Sequence, residues 1–326
     1  MTPPAAPGGL DRGEMPPLRT VLFVPGDRRE GLDAAAESGA DALVIDLEEP
    51  RTPCPESLRV EARRVTGEFL ASRAGSGGGG GGPRFFVRVQ APRTGQTILD
   101  LEAVMGPALY GILVPKVLGP ADVHMADALL GAAEVKAGRP LGSSAIYPIL
   151  ETAQGLRVAH EIAMASPRVR HMGGAVSRFG DIHQAVGFRW TAEGMETLFL
   201  RSKVLIDCRA AGVRYPISGM WGGDVDDEDG LRTWCRQLRD LGYFGMMIGN
   251  RRHVPIVNEE FTPTATELAY WSDLDRLTDE AERDGSGPIF YGDPNQGEGY
   301  VLHLAHVGSA RMNLEWARAL GVAPPR

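Results

Sequence analysis

The chain has 326 residues, 43% of them apolar, and a formal net charge of −8. An acidic balance with no broad basic stripe excludes a nucleic-acid partner, and no apolar run reaches the roughly 18 residues of a membrane span. Cys54, Cys208 and Cys235 have neither disulfide nor metal-ligand spacing. The N-terminus lacks the basic region and apolar core of a signal peptide, so a reduced, cytoplasmic protein is expected.

Residues 1–17, rich in Pro and Gly, read as a disordered tail. A strand at Val21–Pro25, a helix at Glu30–Ser38, a strand at Ala42–Leu47 and a helix at Glu56–Ala71 follow. The stretch 74–83 contains six consecutive glycines, 77–82. A phosphate-cradling loop has a strand before it and a helix after it. Here the order is reversed, so the segment reads as a flexible surface insertion. Further strands are expected at Phe85–Val89, Gly111–Val117, Ala145–Leu150, His171–Val176, Val213–Ser218 and Tyr243–Ile248, with helices between them such as Gly155–Ala165 and Ala192–Ala211. Eight strands alternating with helices predict a (β/α)8 TIM barrel over residues 18–262. A doubly wound open sheet is the alternative. Residues 249–264 read as a loop, and 263–326 as a C-terminal helical extension that covers the barrel mouth or a neighbouring subunit.

The active site of such a barrel is built from the C-terminal strand ends. Those ends carry Asp46, Glu48, Arg88, Lys116, Glu151 and Asp181, with Arg19 just before the first strand. Each has a plain structural reading: Asp46 as a turn cap, Arg88 as half of an ion pair, Lys116 as a surface lysine. Acids and bases at successive strand ends are more specific than any one of them. The pair Glu151 and Asp181 suits a hard divalent cation such as Mg²⁺, which takes oxygen ligands and keeps several waters.

The segments Arg-Thr-Val-Leu-Phe-Val-Pro-Gly-Asp-Arg (19–28), Gly-Ala-Asp-Ala-Leu-Val-Ile-Asp-Leu-Glu-Glu (39–49), Val-Arg-Val (87–89), Val-Pro-Lys-Val (114–117) and Ile-Leu-Glu-Thr-Ala-Gln-Gly (149–155) resemble the citrate lyase β-subunit-like branch of the HpcH/HpaI aldolase family. The resemblance implies a Mg²⁺-dependent (Mn²⁺-compatible) carbon–carbon lyase or aldolase, a homotrimer or hexamer, acting on citryl- or malyl-CoA-like thioesters or 2-oxo acid aldols. By position it makes Glu151 and Asp181 the metal ligands and Arg88 the cation on the substrate carboxylate and enolate oxygen. Asp46 and Glu48 would hold water on the metal or orient Arg88, and Arg19 and Lys116 would fall where the acyl carrier, often coenzyme A, is received.

Three positions depart from that pattern. Gly180 stands where the family has an acid before the Asp, and residues 248–255 read Ile-Gly-Asn-Arg-Arg-His-Val-Pro where the family often has Ile-His-Pro-Ser-Gln. Near the end, His303 occupies the place of an Asp that donates a proton in thioester-cleaving members, with Asp293 a weaker substitute. His303 is either a plain polar residue or a replacement acid that titrates near neutrality. A second function class, a non-catalytic barrel binding acyl-CoA or an oxo acid, stands against the lyase. Retention of Arg88, Glu151 and Asp181 together distinguishes the two.

Overall fold

The computed structural model describes residues 10–75, 82–174, 176–285, 288–292 and 299–322; the glycine run expected to be flexible and Asp293 fall largely or wholly outside that set. The chain divides after Phe261 into two compact units.

In the first unit eight parallel strands form a closed barrel in sequence order, the last pairing with the first. They are β1 Thr20–Pro25, β2 Ala42–Asp46, β3 Arg84–Arg88, β4 Leu109–Val114, β5 Ala145–Leu150, β6 Gly173–Gly174, β7 Ile217–Ser218 and β8 Gly245–Ile248. Ten helices of this unit connect and follow them: α1 Arg29–Ala36, α2 Glu56–Ser72, α3 Thr97–Val104, α4 Pro120–Lys136, α5 Ala153–Arg157, α6 Ala159–Met164, α7 Asp181–Val186, α8 Leu198–Ala210, α9 Glu228–Leu241 and α10 Val254–Phe261. The strands read as continuous apolar runs because both faces are covered, as in Ala-Leu-Val-Ile-Asp of β2, where every residue is buried. One face packs inside the barrel around Val44, Phe86, Tyr147 and Met247. The other meets the helices through residues such as Ile45, Val87 and Ile146.

All eight expected strands are present, and the sixth and seventh are short. A Cβ on Gly173 would stand 1.8 Å from the Ile217 carbonyl oxygen, so only glycine allows these strands to approach. In the seventh, Pro216 has no N–H to donate to a ladder. The expected loop at 249–264 is instead a 3₁₀ turn, Arg251–His253, running into α10. Pro255 occupies the first turn of α10, where its missing N–H is no loss, and Val254, Val257 and Phe261 bury one face.

The tail expected over residues 1–17 also needs correction where it is described. Arg12 is 3% exposed, and its guanidinium donates to the carbonyls of Ala163, Ser166, Val169 and Ala211 at 2.6–3.2 Å. A Pro- and Gly-rich composition predicts poor intrinsic order, but one buried guanidinium with four acceptors overrides it. Pro16 is buried as well.

The second unit contains α11 Ala265–Asp284 and α12 Leu304–Ala319, with a two-stranded ladder between Phe290–Tyr291 and Tyr300–Val301. Leu268, Leu314 and Ala317 form one apolar contact between its helices, and a reciprocal Thr264–Glu267 capping box starts α11. Among the described residues no helix is long and apolar enough to cross a membrane.

Candidate active site

The C-terminal strand ends bring six of the expected residues into one charged cluster. Asp46 and Arg88 are the last residues of adjacent strands β2 and β3, paired in register. Arg88 meets Asp46 with two bonds, Nε to Oδ1 at 2.9 Å and Nη2 to Oδ2 at 2.5 Å, while Nη1 lies 3.2 Å from Oε2 of Glu48. This two-pronged contact uses the planar fork that distinguishes arginine from lysine. The guanidinium also stacks over the Phe23 ring at 5.5 Å. Burial would lower the Arg88 pKa, but Asp46, Glu48 and Glu151 outweigh it and raise it, so the group stays cationic.

Asp46 has a second task. Its Oδ1 accepts the backbone N–H groups of Glu48 and Glu49 at 3.0 and 3.2 Å, which turns the chain after β2 and aims Glu48 at the cluster. Gln90, just past β3, supports that turn by donating its amide to the carbonyls of Leu47 and Glu48. Asp100 receives the Gln90 N–H at 2.6 Å and the Arg63 Nε at 2.7 Å, which ties the turn to α2 and α3. Gln90 was not among the expected site residues. The only sequence signal for it is its place in Val-Arg-Val-Gln, one step beyond Val89.

Glu151 follows β5 directly and is 8% exposed. Its Oε1 accepts the backbone N–H of Lys116 at 2.7 Å. Burial pushes this carboxyl up to about 7; Arg88 and the Lys116 N–H act against that shift, and the neighbouring acids Asp181 and Glu48 add to it. Asp181 begins α7 with its side chain 39% exposed, 3.5 Å from Lys116 Nζ. The same ammonium donates to Glu48 Oε1 at 2.6 Å. Burial would lower the Lys116 pKa, but Glu48, Asp181 and Glu151 raise it.

Lys116 therefore stands inside the carboxylate cluster, its ammonium paired with Glu48 and Asp181. Arg19 is not brought to the site at all. It precedes β1, at the end of the barrel opposite Asp46 and Glu151, and its guanidinium pairs with Asp41 through Nε at 2.9 Å and Nη2 at 2.7 Å. Its place before β1 already puts it at the N-terminal ends of the parallel strands, and its expected site role came from the family resemblance alone. His303 belongs to the second unit, exposed at the start of α12, where its backbone N–H donates to His306 Nδ1 at 3.0 Å.

Among the described residues, no three His, Cys, Asp or Glu side chains converge as a metal cage. A Mg²⁺ site does not need one, since that ion commonly takes one or two protein carboxylates and completes its shell with water and substrate. The donor set fits. Glu151 and Asp181 offer carboxylate oxygens whose mutual repulsion a cation would relieve, and the Lys116 ammonium already lies between Glu48 and Asp181.

Known proteins share this fold. The family model of the HpcH/HpaI aldolase/citrate lyase family matches residues 19–250. A (3S)-malyl-CoA thioesterase of Cereibacter sphaeroides is 29% identical over 305 residues, covering 93% of this chain and 96% of the relative. The citrate lyase subunit beta of Leuconostoc mesenteroides subsp. cremoris is 29% identical over 271 residues, covering 83% and 85%. Among solved structures, protein CitE from Mycobacterium tuberculosis in complex with magnesium, acetoacetate and coenzyme A superposes with a TM-score of 0.68 at 25% identity, covering 94% of this chain and 99% of that one. With most of its barrel matched by that family's model, the chain belongs to the HpcH/HpaI aldolase/citrate lyase family, on the citrate lyase β-subunit-like branch, and is a carbon–carbon lyase.

Proposed function

We propose that this barrel makes or breaks the carbon–carbon bond of a β-hydroxy acyl-CoA or a 2-oxo acid aldol through an enolate, with Mg²⁺ or Mn²⁺ held by Glu151 and Asp181. The observation that carries the reading is the Arg88 guanidinium, fixed by Asp46 and Glu48 within the same cluster as the buried Glu151. The magnesium, acetoacetate and coenzyme A bound to the M. tuberculosis CitE structure, and the malyl-CoA named for the C. sphaeroides relative, support this substrate class.

In the cleavage direction a carboxylate of the cluster takes the substrate hydroxyl proton. The carbon–carbon bond then breaks, its electron pair passing to the acyl fragment as an enolate, and the former carbinol leaves as a 2-oxo acid. Arg88 stabilises the negative oxygen that develops only as the bond breaks, which is where binding accelerates chemistry. A divalent cation, when bound, supplies Lewis acidity that acidifies the hydroxyl and fixes the chelated pose. Asp46 and Glu48 hold the guanidinium against rotation, so no reorganisation is needed at the moment of reaction.

Turnover of malyl- or citryl-type thioesters should vanish with EDTA and return with Mg²⁺, and Asp181→Ala should lose the metal-dependent rate. An Asp181→Ala protein with full metal-dependent turnover would refute the reading. Product analysis separates carbon–carbon cleavage, which yields an oxo acid and an acyl-CoA, from thioester hydrolysis, which yields a hydroxy acid and free CoA.

The enolate carbon needs a proton, and we propose that His303 delivers it to a neighbouring subunit's site, as the resemblance implies for the residue at its place. His303→Ala should then lower kcat by about 10²-fold with KM nearly unchanged. Equal kcat for mutant and parent would leave His303 as a helix-start residue only.

A further inference from the structure

Lys116 is the sole non-glycine residue with a positive φ among the described residues, at +52°. That conformation is strained for a side chain and persists only where the surroundings over-determine it. Here they do. The Lys116 N–H is held by Glu151 Oε1 at 2.7 Å, and its carbonyl accepts from the Arg93 guanidinium. One residue on, Thr152 Oγ1 donates to the Val117 carbonyl at 2.8 Å, and the Leu118 N–H reaches Asp122 Oδ2 at 2.7 Å. A Cβ on Gly155 would lie 2.4 Å from the Val117 carbonyl oxygen, so α5 presses on this turn from the other side.

The side chain is held differently. It is 38% exposed, and its ammonium makes two contacts, 2.6 Å to Glu48 Oε1 and 3.5 Å to Asp181 Oδ2. Among the described residues it is the only cation paired with Asp181, whereas Glu48 also has Arg88 at 3.2 Å. The backbone of Lys116 thus serves one proposed metal ligand and its side chain the other.

We propose that Lys116 is a resident cation: its ammonium neutralises the carboxylate cluster until a divalent ion enters, then yields Asp181 while its backbone stays bonded to Glu151. The proposal rests on the metal reading above. Lys116 is a positioning residue in this scheme. It keeps the carboxylates gathered without metal and competes with the metal for one of them.

The test is Mn²⁺ binding to the full chain by electron paramagnetic resonance, with thermal melts with and without Mg²⁺. Lys116→Met should melt about 1 °C below the parent without metal. It should bind Mn²⁺ about tenfold more tightly, since a competing unit charge is gone, and should gain more Tm from Mg²⁺. Lys116→Arg keeps the charge and should restore parental Mn²⁺ affinity. If Lys116→Met does not fold, Lys116→Gly, at ease with a positive φ, carries the same measurement. Affinity equal to or weaker than the parent's in the uncharged variant overturns the proposal and leaves the metal reading standing. No Mn²⁺ binding to parent or variant overturns both.

Discussion

Glu151→Gln should make the metal-free protein more stable at pH 8 while removing its metal-dependent turnover. The folded carboxyl holds its proton to about pH 7, against an ordinary value of 4.5, because it is buried, with the acids Asp181 and Glu48 close by. A raised carboxylate pKa means that the folded state binds the proton more tightly than the unfolded one. The stability it lends is therefore complete below pH 4.5 and is lost as pH rises through 7. By pH 8 the ionised group costs the fold about 3 kcal/mol. Gln keeps an oxygen for the Lys116 N–H but carries no charge, so Tm should rise on the order of 5 °C at pH 8. The gain should shrink to nothing below pH 4.5. Melts of parent and variant across this range decide it, and an unchanged or lower Tm for the variant at pH 8 would show that Glu151 is not strained by its ionisation. The same cost gives the site a reason to take up a divalent cation near neutral pH.

The second large effect concerns Arg88. Arg88→Lys should lower kcat by a factor on the order of 10³, the scale of removing a pre-aimed donor to a developing oxyanion, with KM changed much less. An ammonium retains the charge but cannot grip Asp46 with two parallel bonds while reaching Glu48. Arg88→Ala should add a folding penalty of about 3 to 5 kcal/mol, because Asp46 would be left buried without its cation and Glu48 with Lys116 alone. A chemical denaturation curve for each variant separates the two losses. A Lys variant with parental kcat would remove Arg88 from the chemistry and leave it as a structural ion pair.

Much of the barrel was legible because each of its strands is a contiguous apolar run bounded by turn residues, and β5, Ala145–Leu150, has the expected bounds. The β6 and β7 strands are shorter than their apolar runs because ladder length depends on backbone donors and on spacing between strands, which glycine and proline change without altering hydropathy. The stretch 249–264, expected as a loop, holds α10 instead, and Pro255 does not prevent it because it sits in the first turn. In the site, Asp46, Glu48, Arg88 and Glu151 come together as strand-end residues should, since alternation and register follow from sequence. The role of Lys116 was hidden because it depends on one left-handed dihedral angle. Arg19 was expected at the site from the resemblance alone, although its position before β1 places it at the opposite end of the parallel strands. Arg12 left no signal, since its partners are main-chain carbonyls that no side-chain pattern reveals.

Arg12 also bears on the order in which the molecule is assembled. Its acceptors lie 151 to 199 residues further along the chain, so a growing polypeptide releases this guanidinium long before any of its partners exist. The full set of Arg12 bonds is completed only after the chain has reached Ala211. Closing a loop of that length costs entropy that a local contact does not, and the bond network repays it only once the second half of the barrel has docked. Arg12 is therefore a latch made early and closed only once the chain has passed Ala211.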